Sequence, residues 1–384
     1  MVQVMKIKIL SIYWGFSLGG GVKYAEILDR IGEDKKYEIV HICIRDRRWD
    51  TVEDILDAIK CDSIFITSRL DWGWIRRLSE SITRHDPDMI MTHGFNGHFA
   101  VCLALILCKK KNYIKVCSYH GRYHPPQRNR KVLSYFINRF NTFYLQKIAA
   151  KIIAVSHFSR KKLIDQNISP HKIDVIHNGI NIFIENLHFK DIRNEWNVSK
   201  NDFLLGTVCR IDSIKGINFL IESIYILKNY CTNLKLVVIG NGPEEENLKL
   251  FAKKKGLEGR VIFAGKRLDI PNCLYSIDCF VLSSIKENHS IALLEAMRSH
   301  KAIIATNVGG NEESVRNEIE GLLVPSKDSM RLALAIQKMY YDKKLRDEYS
   351  RNAYLRFKRE FTSSCMVEKT SRWIDQTFIR DTKK

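Results

Sequence analysis

Thirteen short runs rich in Ile, Val and Leu recur along this chain with helical stretches between them, and few folds accept that pattern. KIKILSIYW (6–14), YEIVHICI (37–44), SIFITS (63–68), DMIMTH (88–93), YIKVCSY (113–119), KIIAVS (151–156) and KIDVIH (172–177) read as strands. Each is short, β-branched and bounded by polar residues or glycine. Helical periodicity fills the gaps, as in VKYAEILDRIG (22–32). Strands alternating with helices argue a parallel sheet covered on both faces. After HNGINIF (177–183) a polar stretch, ENLHFKDIRNEWNVSKND, interrupts the pattern. It then restarts: FLLGTV (203–208), LKLVVIG (234–240), RVIFAG (260–265), CFVLSS (279–284), AIIATN (302–307) and GLLVP (321–325). The 384 residues exceed one ordinary core and suit two, at ~100–200 residues per domain. The sequence thus predicts an α/β chain of two doubly wound Rossmann-like domains, 1–182 and 183–365, with the boundary near 181–200. Residues 327–382 are helical in period, with Trp373 and Phe378 as apolar anchors.

Open α/β sheets bind ligands at the C-terminal ends of their strands. Two such domains facing each other across a cleft predict a bi-substrate enzyme with one partner per domain. Four segments stand at those ends. SLGGGVKYAEIL (17–28) follows the first strand and opens a helix. Its contiguous Gly20 and Gly21 let the backbone approach a phosphate at a helix N-terminus. Alone, the run fits a plain strand–helix turn equally well.

GTVCRIDSIKGINFLIES (206–223) places Arg210 and Lys215 five apart in the loop after the first strand of the second domain. A guanidinium binding bidentately and an ammonium acting as a point charge suit a diphosphate. The alternative is two solvated surface cations. In SSIKENHSIALLEAM (283–297), Glu287 sits in a loop and Glu295 in the following helix, with seven residues between them. The backbone N–H groups of about His289 to Ile291 are expected to point into the cleft at that helix start, and a carboxylate there can accept bonds from vicinal sugar hydroxyls. His120 ends the YIKVCSY strand, where an imidazole can donate a hydrogen bond or change charge near neutral pH. The spacing of His120 to His124 matches a metal pair, but no carboxylate completes one.

Lys and Arg number 62 against 43 Asp and Glu, a formal charge of +19. That excess favours polyanionic partners: nucleic acid, anionic lipid or phosphorylated substrates. A Lys-rich surface kept for solubility is the bland alternative. The ten cysteines show no C-x-x-C spacing, and several, such as Cys43 and Cys279, lie in apolar strands, so a reduced cytoplasmic setting is expected. The first residues read as a strand, and no signal peptide is expected. The most apolar run, AVCLALILC (100–108), is about half the ~20 residues that span a bilayer.

Taken together, the segments resemble the family 4 retaining glycosyltransferases of GT-B fold. The likeness covers almost the whole chain and is densest across 203–325. There the Arg210…Lys215-Gly216 loop, VVIGNGPEEENL (237–248), VIFAG (261–265), Glu287 to Glu295 with its trailing Ala-Met, NVGGNEESV (307–315) and GLLVP follow in order. The resemblance implies that Arg210 and Lys215 hold a nucleotide diphosphate and stabilise the leaving charge, and that Glu295 binds the ribose hydroxyls. It implies that Glu287 faces the transferred sugar and that N–H groups near Ser290 and Ile291 touch phosphate or sugar. Gly20 and Gly21 match the family's N-domain glycine loop, and His120 its histidine near the sugar. The last helix is implied to cross back and complete the first domain with about 366–384. The resemblance also implies metal-independent transfer and a retaining outcome. No residue reads the base, so a UDP-sugar is the first expectation for the donor and a GDP-sugar the second. Two positions depart from the family: Asn288 stands where Gly is common, and Lys151 where Asp is common. The Lys151 change is expected to add to the basic surface.

Residues 127–151 combine Arg128, Arg130, Lys131, Arg139, Lys147 and Lys151 with aromatic and aliphatic residues, and Lys109 to Lys111 lie near in sequence. A basic, aromatic-rich helix can lie on an anionic bilayer. A core-packing helix with a solvated basic side fits as well. The function expected is transfer of a hexose or N-acetylhexosamine to a lipid-linked or oligosaccharide acceptor in bacterial surface polysaccharide or lipopolysaccharide synthesis, peripheral to the inner face of the plasma membrane. A nucleotide-sugar epimerase of the same fold is the alternative. A nucleic-acid-binding role rests on charge alone, without an aromatic-bearing basic strand motif, and nucleic acid is not an expected partner.

Overall fold

The structure is a computed structural model that describes residues 6–15, 20–46, 61–68, 71–108, 112–120, 136, 139–183 and 188–382. It divides into two compact units, 1–178 with 363–384, and 179–362.

The first unit holds a seven-stranded parallel sheet in the order β3-β2-β1-β4-β5-β6-β7. Its strands are β1 (Ile7–Trp14), β2 (Tyr37–Asp46), β3 (Cys61–Ile66), β4 (Met89–His93), β5 (Ile114–Tyr119), β6 (Lys151–Ala154) and β7 (Ile173–Val175). Successive side chains of each strand point to opposite faces of the sheet. Ile7 and Ile9 of β1 join a core with Tyr24, Leu28 and Ile31 of the helix Gly20–Gly32. Leu10 and Ile12 point the other way, onto Leu78 and Ile82 of Gly73–His85 and Val101 and Ala104 of Gly94–Leu107. Both faces are therefore covered, as a parallel sheet requires.

The second unit repeats the plan with six parallel strands in the order β10-β9-β8-β11-β12-β13. These are β8 (Phe203–Val208), β9 (Leu234–Ile239), β10 (Val261–Gly265), β11 (Cys279–Leu282), β12 (Ala302–Thr306) and β13 (Leu322–Val324). Phe203 and Leu205 face the helices Ile217–Leu227 and Ser329–Tyr341, whereas Leu204 faces Ile291–Arg298 and Lys343–Glu360.

The division between units falls a few residues before the expected one. Ile180 is buried in the second core, and its N–H donates to the carbonyl of Phe361. The polar stretch after it is not a bare linker, because Ile192, Trp196 and Val198 are buried in that same core. The return to the first unit comes at Ser363, and Met366, Trp373 and Ile374 of the helix Ser363–Thr382 enter the first core, with Phe378 packed against it.

Two local expectations are corrected. Lys151 adds little to the basic surface, since its ammonium is 2.8 Å from the Asp174 carboxylate and donates to the His171 carbonyl. The strand expected to run to Ser284 ends at Leu282. None of the ten cysteines forms a disulfide, and Cys43 and Cys279 are fully buried in their strands. Among the described residues no helix is long and apolar enough to cross a membrane.

Trp373 anchors the returning helix twice, by burial and by donating its indole N–H to Asp174 at 2.8 Å. Trp373→Ala should therefore lower the stability of the first unit by about 3–5 kcal/mol, read from its denaturant unfolding transition. A loss below about 1 kcal/mol would mean that the helix is not integral to that unit.

Candidate active site

In each sheet the strand order reverses direction once, between β1 and β4 and again between β8 and β11. Loops leaving two such strands part to opposite faces, which opens a crevice at their C-terminal ends. In the second unit those loops carry Arg210 and Lys215 after β8, and Glu287 after β11.

The two cations of the first loop part company. Arg210 is two-thirds exposed, with its guanidinium 4.0 Å from Asp212. Lys215 is nearly buried at the end of a short 3-10 turn, Ser213–Lys215, which Asp212 caps by accepting from the N–H of Ile214. The Lys215 ammonium lies 2.6 Å from Oε1 of Glu287, whose side chain is only 8% exposed. The reading of Lys215 as a solvated surface cation is thereby excluded.

Backbone bonds fix both partners. The N–H of Ile285 donates to the carbonyl of Ile214, and the buried Ser283 hydroxyl donates to the carbonyl of Lys215. The Ser284 hydroxyl donates to Oε1 of Glu287 at 2.8 Å. Glycines set the depth of the neighbouring loops. Gly309 has φ +64, and a Cβ there would fall on the carbonyl oxygen of Glu287. Gly240 and Gly242 press in the same way on the carbonyls of Cys209 and Ile211, on either side of Arg210. This gives the GNG and VGG segments a physical task, since only a residue without Cβ allows such approach.

Helix Ile291–Arg298 begins where expected. Ser290 is its N-cap, and its hydroxyl accepts from the N–H of Leu293. The first-turn N–H groups, including that of Ile291, add partial positive charge at this end. Glu295 is half-buried one turn on, with the Arg298 cation beside it. Arg298 stacks on Phe183 at 4.0 Å and donates to the carbonyl of Asn181. His289 is buried against Ser314, with ring nitrogen and hydroxyl 3.2 Å apart.

The first unit holds the remaining candidates. The helix Gly20–Gly32 begins at Gly20 and Gly21, while residues 17–19 of the glycine run lie outside the described residues. His120 follows β5, half-buried, with Nε2 3.0 Å from the Ser118 hydroxyl and its ring edge-on to Tyr24. Burial pushes its pKa down to about 4, so it is neutral at neutral pH and the expected change of charge there does not occur. The sequence reading missed His93 at the end of β4. It stacks on Tyr13 at 4.2 Å, contacts His120 at 5.9 Å and pairs with Ser11 at 2.9 Å. Its position at the C-terminal end of a strand beside the β1/β4 reversal was the available signal. His124 lies outside the described residues, as do Lys109 to Lys111, Arg128, Arg130 and Lys131.

Two doubly wound parallel sheets, the second with a buried amine–carboxylate pair, an exposed Arg and a helix N-terminus at its strand ends, place charged groups where open α/β sheets bind ligands. Comparison with known proteins narrows this. Residues 20–182 match the family model for Glycosyltransferase Family 4, and 188–356 that for Glycosyl transferases group 1. Over 328 residues the chain is 27% identical to the Escherichia coli UDP-Gal:alpha-D-GlcNAc-diphosphoundecaprenol alpha-1,3-galactosyltransferase, covering 81% of this chain and 82% of that one. A Campylobacter jejuni N,N'-diacetylbacillosaminyl-diphospho-undecaprenol alpha-1,3-N-acetylgalactosaminyltransferase is 29% identical over 214 residues, 54% of this chain and 55% of that one. Among solved structures, Anabaena HepE in complex with UDP-glucose superposes with a TM-score of 0.80 at 20% identity, over 96% of this chain and 99% of that one. The chain belongs to the family 4 glycosyltransferases of GT-B fold and is a glycosyltransferase of the hexosyltransferase type.

The Gly309 contact is separable from the strain of a left-handed backbone. Gly256, at φ +65, has open space around it, so Gly256→Ala should cost about 1–2 kcal/mol from backbone strain alone. Gly309→Ala must also displace the Glu287 backbone, a further ~1–3 kcal/mol in the second unit's unfolding transition. Equal losses would show that the VGG loop does not press on Glu287.

Proposed function

We propose that this enzyme moves a hexose or N-acetylhexosamine, with retention at the anomeric carbon, from a nucleotide diphosphate sugar to a lipid-linked or oligosaccharide acceptor in bacterial surface polysaccharide or lipopolysaccharide synthesis. A UDP-sugar is the first choice of donor and a GDP-sugar the second. The observation that carries the reading is the Lys215–Glu287 pair at the β8/β11 reversal, with Arg210 exposed on the same loop as Lys215. The names of the E. coli and C. jejuni relatives, both transferases acting on diphosphoundecaprenol-linked sugars, support the acceptor class. The UDP-glucose bound to HepE supports the donor class.

In this reading Arg210 and Lys215 neutralise the diphosphate as the glycosidic bond breaks, which is electrostatic stabilisation of developing charge by groups already in place. The N–H groups of Ser290 and Ile291 add dipoles of the same sign. Glu295 accepts from the ribose hydroxyls and Glu287 from a hydroxyl of the transferred sugar. In the first unit, the helix start at Gly20 and Gly21 supplies N–H groups for phosphate. Neutral His120, fixed by Ser118, offers a hydrogen bond to a sugar hydroxyl without adding charge. With the leaving charge met by side chains and dipoles, no metal is assigned, and transfer should survive EDTA.

Incubation with UDP- and GDP-sugars and a diphosphate-linked lipid acceptor tests the reading directly. A panel of UDP, GDP and ADP provides the binding counterpart. The cognate nucleotide should stabilise the chain by about 2.7 kcal/mol at a hundredfold excess over its dissociation constant. No stabilisation by any nucleotide would contradict the proposal.

We further propose that the first unit rests on the inner membrane surface. The helix Gly94–Leu107 has no charged residue, yet it exposes Phe99, Ile106 and Leu107. Beside it, Phe136 and Phe143 are exposed among Arg139 and Lys147, and Phe140 packs edge-on to Phe99. A helix apolar on both sides needs an apolar partner outside the core, and surrounding cations favour anionic lipid. Co-sedimentation with phosphatidylglycerol vesicles at low salt should be clear for the wild type and sharply reduced in Phe136→Ser/Phe143→Ser. No co-sedimentation of the wild type would overturn this.

A further inference from the structure

Ser283 and Ser284 leave the end of β11 with their hydroxyls committed to different partners, and neither is accessible, at 2% and 0% exposure. Ser283 holds the backbone carbonyl of Lys215, and Ser284 holds the carboxylate of Glu287. The peptide that carries them is itself locked. The Thr306 hydroxyl donates to the carbonyls of Ser284 and Leu282, and the N–H of Ile285 donates to Ile214. The Ser284 hydroxyl is therefore a fixed reference point within the loop.

Both bonds to the Glu287 carboxylate land on the same oxygen. The Lys215 ammonium reaches Oε1 at 2.6 Å and the Ser284 hydroxyl reaches Oε1 at 2.8 Å. No described residue bonds Oε2. A carboxylate held by a single donor can pivot about its own axis and exchange its oxygens. A second, rigid donor on the same oxygen removes that freedom and gives the two oxygens different tasks.

We propose that Ser284 is a positioning residue for sugar recognition: with Lys215 it saturates Oε1 of Glu287, so that Oε2 alone is presented, at a fixed angle, to one hydroxyl of the transferred sugar. This rests on the reading of Glu287 as the sugar-facing carboxylate. It goes further in assigning the sugar contact to one oxygen and its geometry to a residue that touches neither nucleotide nor sugar. The nucleotide is held by other groups, so loss of the Ser284 hydroxyl should weaken recognition of the sugar and leave recognition of the nucleoside diphosphate alone.

The test is a cycle between Ser284 and the sugar hydroxyls, using UDP, the cognate UDP-sugar and UDP-sugars each lacking one hydroxyl. In the wild type one deoxy analogue should lose roughly ten-fold or more in kcat/KM. In Ser284→Ala the parent sugar should lose a similar factor, the penalty for that same deoxy analogue should shrink to about two-fold, and UDP affinity should change by less than about two-fold. Ser284→Thr restores a hydroxyl and should recover the wild-type pattern. Should the alanine variant fail to fold, Ser284→Cys, with a weak donor of similar size, is read in the same cycle and should show a reduced deoxy penalty. Unchanged deoxy penalties in the variants, or loss of UDP affinity in parallel with sugar recognition, would overturn the inference and leave the functional reading intact. A wild-type chain that binds no nucleotide would overturn the functional reading and this inference with it.

Discussion

An ammonium and a carboxylate 2.6 Å apart, each about nine-tenths out of water, are the constraint around which the second unit is arranged. Burying such a pair removes several kcal/mol of hydration per ion, and mutual attraction recovers it only with close geometry and further hydrogen bonds. Hydrophobic residues of the same volume commonly stabilise a fold as well or better. Lys215 and Glu287 are therefore poorly explained as a stability device. As charges held ready for a ligand they make sense, because the reorganisation that water would otherwise undergo is completed when the protein folds.

The neighbouring structure follows from keeping that pair in place. Ser283 and Ser284 fix one partner each, and Gly309 lets the VGG loop close on the Glu287 backbone. Gly240 and Gly242 do the same around Arg210. These contacts are possible because the strand order reverses between β8 and β11, which brings the two loops together at one end of the sheet. The first unit meets an analogous requirement differently. At its own reversal it gathers neutral rings, His93 stacked on Tyr13 and His120 edge-on to Tyr24, with hydroxyls from Ser11 and Ser118. One unit offers charge and the other offers neutral hydrogen-bonding groups.

Much of this was legible in the sequence. Every strand was visible because residues buried on both faces of a parallel sheet must be apolar almost without interruption, as in IKILSIYW and LKLVVI. The loops carrying Arg210, Lys215 and Glu287 were visible because they follow such strands. Four features were not legible, each for a physical reason. The burial of Lys215 depends on a carboxylate 72 residues away, and Lys151 is neutralised by Asp174, which periodicity cannot report. Ser283 and Ser284 continue the strand pattern by alternation, yet their hydroxyls are drawn off by Lys215 and Glu287. The boundary was placed late because Ile180, Ile192 and Trp196 are isolated apolar residues in a polar stretch, and their burial depends on the core they meet.

Cations placed at the β8/β11 reversal to hold a diphosphate should bind it through its phosphates. The most direct measurement is calorimetric affinity for uridine, UMP and UDP in the wild type and in Lys215→Ala. The wild type should gain affinity at each added phosphate, and most of the gain from UMP to UDP should disappear in the variant while the affinity for uridine is unchanged. A Lys215→Ala chain that gains affinity from uridine to UDP as the wild type does would contradict that role.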